Sequence, residues 1–127
     1  MSGPALTDFD DWLMRTYARV GSFTVLVILV DIGEVSVTPL RSTHLHVVGD
    51  EIRWPEMARM FAGAGVSWNG VAFFQADRDG LVVDDEAKRR LASLVRHVNE
   101  DRKILNDGEF FDADGLRLKL EEIAPTT

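Results

Sequence analysis

Phe73-Phe74-Gln75-Ala76-Asp77-Arg78-Asp79-Gly80-Leu81 is echoed later in the chain by Phe110-Phe111-Asp112-Ala113-Asp114-Gly115-Leu116. Each copy joins an aromatic pair to acidic residues and a glycine, then returns to an apolar run. Two readings compete, and they lead to different folds. Oxygen donors ahead of a glycine can hold calcium in a helix–loop–helix unit. Aspartates and a glycine between apolar runs can also close a tight turn, because the carboxylate accepts backbone amides and glycine takes a positive φ.

With Gly80 at the sixth position of a calcium loop, Asp77, Asp79 and Glu86 fall at ligand positions and Val82 at the apolar one. Gln75 stands where the first carboxylate belongs. Upstream, Asn69-Gly70 followed by Val71–Phe74 reads as turn and strand, where the motif needs a helix. The second copy puts Phe110 and Arg117 at the first and eighth positions, which breaks the register further. Both copies are therefore read as hairpin tips on aromatic-rich strands.

Working outward, Phe23 to Ile32 is apolar nearly throughout and rich in β-branched residues, as in a strand buried on both faces. Gly33-Glu34 turns the chain into an alternating Val35–Thr38 strand, which Pro39 interrupts or confines to an edge. Residues 43–48 alternate again, with Leu45 and Val47 on one face and His44, His46 and Val48 on the other. Ile52 and Trp54 extend the pairing after Gly49-Asp50. Leu81–Val83 is the expected partner of a strand over Val71–Gln75, and Leu116–Leu120 that of Glu109–Asp112.

Three stretches have helical spacing. Phe9, Trp12, Leu13, Tyr17 and Val20 form one stripe over 8–20, with Thr7 as N-cap and Gly21 as stop. Pro55 opens a short helix carrying Met57, Met60 and Phe61. Asp84 or Asp85 caps a longer one bearing Ala87, Leu91, Leu94, Val95 and Val98. Regular strand–helix alternation is missing. The expectation is a single α+β domain over 1–127: a mostly antiparallel sheet of six or seven strands, with about three helices packed mainly on one face.

Composition bounds the function. The chain has 127 residues, 46% hydrophobic and 28% charged, and no cysteine, so neither disulfides nor thiolate chemistry is available. Its net charge of -7 disfavours direct nucleic-acid binding, which needs a basic surface. The longest apolar run, Val25–Val30, is far short of the roughly 20 residues of a membrane span. Met1-Ser2-Gly3-Pro4 does not resemble a signal peptide. A soluble, cytoplasmic protein is expected.

No serine lies in a nucleophile elbow, and Gly63-Ala64-Gly65 lacks the remainder of a phosphate loop. Asp84-Asp85 reads as a helix cap. The leading expectation is a non-enzymatic, acidic interaction module, such as a stoichiometric inhibitor, an immunity-type protein or an accessory subunit. A basic protein partner would meet Asp77, Asp79, Asp112 and Asp114 together with an exposed Trp54 or Trp68. No cofactor is required, and a homo-oligomer is compatible. One alternative is a metal-binding protein or metal-dependent enzyme: His44 and His46 share a strand face at chelating distance, with Asp50, Glu51 or His97 as third ligand. Another is a small-ligand domain with an apolar cavity between sheet and helices.

Overall fold

The computed structural model describes residues 6–78 and 80–119. The chain runs α1 (Asp8–Val20), β1 (Phe23–Ile32), β2 (Val37–Val47), α2 (Trp54–Ala62), β3 (Gly70–Gln75), α3 (Asp84–Glu100), a 3₁₀ helix (Arg102–Asp107) and β4 (Glu109–Asp112). Among the described residues four strands form one sheet in the order β2-β1-β3-β4, with every neighbouring pair antiparallel.

The α+β class and the antiparallel sheet are as expected; the count of six or seven strands is not. Val35–Thr38 and residues 43–48 are not separate strands. One strand, β2, pairs with β1 from Ile32↔Val37 to Phe23↔Val47 and absorbs Pro39 at a register shift between Leu29 and Val30. Proline is tolerated there because β2 is the sheet edge. Trp54 starts α2 instead of extending a strand. Leu81–Val83 forms no strand, because Thr24 holds that segment across the sheet. Beyond β4, the return segment makes only the bridge Phe111↔Arg117 among the described residues; Leu120 lies outside them.

The helices also cover both faces rather than mainly one. Side chains from β1 alternate: Phe23, Val25, Val27 and Leu29 pack with Phe9 and Leu13 of α1 and Trp54, Met57 and Phe61 of α2. Leu26, Ile28 and Val30 face Ala87 and Val98 of α3 and Leu105 of the 3₁₀ helix. A strand apolar on both faces loses its hydrophobic gain unless both are covered, at roughly 25 cal/mol per Å² of apolar surface. The Phe-Phe pairs serve this layering. Phe73 and Phe111 point towards α1 and α2, and Phe74 and Phe110 towards α3.

Of the two acidic phrases, the second closes a tight turn. Asp112 Oδ1 accepts the N–H groups of Asp114 at 2.8 Å and Leu116 at 3.0 Å. Gly115 takes φ 79, and a Cβ there would lie 2.7 Å from Trp54 Cγ. The first phrase leaves β3 without a returning strand. Ala76 N–H donates to Thr24 O at 2.8 Å and Thr24 N–H to Gly80 O at 3.3 Å, so Ala76 and Gly80 are both tied to the start of β1.

Candidate metal centre

Strand alternation puts His44 and His46 on the face of β2 that α3 covers, opposite Leu26 and Thr24 of β1. The loop over Thr24 delivers the first residue of α3, Asp84, to the same place. His44 Nε2 lies 3.0 Å and His46 Nε2 2.6 Å from one oxygen, Asp84 Oδ1. The imidazole rings are 5.5 Å apart at 71°. Among the described residues this is the one group of three histidine or carboxylate side chains able to hold a metal ion, all ligand atoms lying within 4.8 Å of one another.

Why Asp84 is free for this role is a matter of helix capping. The N-cap of α3 is Val83, whose side chain makes no capping hydrogen bond. Asp84 thus occupies the first helical position, and its carboxylate turns to the histidines rather than to backbone amides. Their N–H groups hold the Asp84 carboxyl below the usual carboxylate range, the His46 bond contributing most and the His44 bond next. An ionised carboxylate only accepts, so without an ion both Nε2 atoms carry hydrogen.

Behind His46 stands Thr24, which is fully buried. Its Oγ1 lies 2.9 Å from His46 Nδ1, accepts Val82 N–H at 2.8 Å and sits 3.3 Å from Val82 O. The outer side is open: the His44, His46 and Asp84 side chains are 16%, 36% and 66% exposed. Val48 and Val83, next to the cluster in sequence, are exposed apolar residues.

Two imidazole nitrogens and one carboxylate oxygen suit zinc, cobalt, nickel, iron or copper better than calcium or magnesium, which prefer all-oxygen sets. Ligand atoms on a tetrahedral ion at about 2.1 Å are about 3.4 Å apart. The two imidazole–carboxylate distances of 3.0 and 2.6 Å are shorter than this, so an ion would require the exposed Asp84 side chain to move outward.

The third ligand expected from sequence was Asp50, Glu51 or His97. None of them joins the cluster, and Asp84, read as a cap, does. The available signal was excess: Asp84, Asp85 and Glu86 are more acids than one helix start needs. Calcium geometry finds no support in the first phrase. A strand precedes it, and Glu86 is held by Arg89 and Arg90.

The other described sequence candidates are not members of this cluster. Trp54 is buried, and its Nε1–H donates to Ala113 O at 3.0 Å. Trp68 is half-buried, edge-on to Phe61. Asp77 lies 4.0 Å from Arg90. Asp112 is engaged in the β4 turn, whereas Asp114 is exposed. Asp79 lies outside the described residues. No described helix is long and apolar enough to cross a membrane. No protein-family model, curated protein or solved structure matches this chain.

Proposed function

We propose that this protein is a transition-metal-binding module that holds one divalent first-row ion at His44, His46 and Asp84. The observation that carries the reading is the convergence of two imidazole Nε2 atoms on a single Asp84 oxygen, at 3.0 and 2.6 Å. Two histidines on a strand and an acid at a helix start meet through tertiary structure, 38 and 40 residues apart in sequence. The exposed outer side leaves coordination positions for water or an exogenous ligand.

Titrating chelator-treated protein with cobalt(II) tests this. The expected result is one cobalt per chain, with visible d–d bands from a nitrogen- and oxygen-ligated ion. Zinc should displace it, and each addition should raise the melting temperature, reversibly with chelator. His44→Ala/His46→Ala should lose both the bands and the thermal shift. Substoichiometric binding by the wild type, or equal binding by the double variant, would remove the reading.

A second reading, the acidic interaction module, is supported by the net charge of -7 and the exposed Asp114 on the β4 turn. It predicts a partner whose affinity falls with salt and with Asp114→Asn. Among the described residues no converging constellation of side chains supports it, and the metal reading is preferred on that ground.

A further inference from the structure

We propose that Thr24 is the positioning residue of this metal centre: its hydroxyl takes the His46 Nδ1–H and so turns the Nε2 lone pair towards the ion. The inference rests on the metal reading and assigns a role to a residue outside the ligand set.

The geometry is specific. A threonine hydroxyl offers one hydrogen and two lone pairs. Val82 N–H occupies one lone pair at 2.8 Å. The remaining lone pair and the hydrogen face His46 Nδ1 at 2.9 Å and Val82 O at 3.3 Å. Without an ion, His46 Nε2–H points at Asp84, and in the neutral ring Nδ1 accepts the Thr24 hydroxyl hydrogen. When an ion replaces the hydrogen on Nε2, the neutral ring carries its hydrogen on Nδ1 and donates it to Thr24 Oγ1. The Thr24 hydrogen then rotates onto Val82 O. Both states are satisfied with the Thr24, His46 and Val82 heavy atoms where they stand, so the buried hydroxyl follows the tautomer without repacking of its own surroundings.

The same oxygen joins two ligands. It contacts His46 directly and binds Val82, two residues before Asp84. One side chain therefore sets the ring orientation and anchors the segment that delivers the carboxylate. Outer-sphere partners of metal-bound histidines act in this way, and their loss typically weakens metal binding by about 10- to 100-fold.

The test compares wild type, Thr24→Ser and Thr24→Val by cobalt(II) titration, with long-range ¹H–¹⁵N spectra of the His46 ring recorded with and without zinc. Serine keeps the hydroxyl; valine keeps the shape without it. Thr24→Val should bind cobalt about 10- to 100-fold more weakly, and Thr24→Ser should stay near wild type. Zinc should move the wild-type His46 hydrogen from Nε2 to Nδ1. If valine binds as tightly as wild type, or serine fails as badly as valine, the proposal is overturned. Should wild type bind no cobalt, the metal reading fails by itself, and the metal-free spectra then decide the hydroxyl's role. A wild-type His46 tautomer that valine shifts towards a mixture supports positioning, and an unchanged tautomer refutes it.

Discussion

Asp10 Oδ1 accepts the backbone N–H of Trp54 at 2.7 Å, joining the first turn of α1 to the first residue of α2. Its other oxygen accepts Thr7 N–H at 3.0 Å, while Thr7 Oγ1 accepts Asp10 N–H at 3.1 Å, completing a capping box. One carboxylate, only 3% exposed, therefore satisfies donors at two helix starts. The joint lies beside the aromatic cluster in which Phe9 meets Trp12, Trp54, Phe73 and Phe111 at centroid distances of 5.1 to 5.8 Å.

Replacing Asp10 by alanine strands two backbone donors, one of them in a buried setting. The expected loss is about 2–3 kcal/mol in urea unfolding. Asp11→Ala is the control. Asp11 is exposed and pairs with Arg15 at 3.1 Å, an i,i+4 contact expected to contribute about 0.5 kcal/mol or less. Equal losses from the two substitutions would show that the bond to Trp54 contributes nothing to stability.

The β4 turn makes a parallel distinction between two acids that the sequence presents as equivalent. Asp112 Oδ1 accepts two amides, whereas Asp114 stands exposed at the tip. Asp112→Ala is expected to destabilise by about 1–2 kcal/mol, and Asp114→Ala by about 0.5 kcal/mol or less. Thermal unfolding of both variants checks this; a reversed ranking would deny the turn its side-chain support. A change of affinity on replacing Asp112 would carry a folding component, so Asp114 is the clean probe of any acidic contact with a partner.

What was legible in the chain follows from how local each cause is. α1 could be read to the residue because its cap, stripe and stop all lie within Thr7–Gly21. β1 was legible because burial on both faces leaves an unbroken apolar run. That same run required cover on both faces, but helical periodicity does not say which face of a sheet a helix takes. Strand counting failed where apolar alternation had another cause. Leu81–Val83 looks like a strand, yet a hydroxyl 58 residues away in sequence, on Thr24, holds Val82. The histidine pair was visible through its spacing of two. Asp84 was not, because its role depends on Val83 forming the N-cap, which only the packed loop determines.

The acid side of the stability profile should report on α3. Arg90 Nε donates to Glu86 Oε2 at 2.8 Å, Arg89 also pairs with Glu86, and Arg90 Nη1 donates to Ala76 O. These contacts link the start of α3 to the loop after β3. The hydrogen bond from Arg90, followed by that from Arg89, holds the Glu86 carboxyl below its ordinary value of 4.5. A group whose pKa is lower in the folded chain binds fewer protons there than when unfolded. Its stabilisation is fully present above the unfolded value and is lost as pH falls through the lower folded one. Wild type should therefore exceed Glu86→Gln in stability at neutral pH, by the small margin of a solvent-screened pair. That margin should hold down to about pH 5 and shrink below about pH 4.5. Denaturant unfolding of both proteins across pH 3 to 7 measures the difference directly. A gap that stays constant through the acid range would mean that Glu86 acts through helix propensity or packing, and not through its charge.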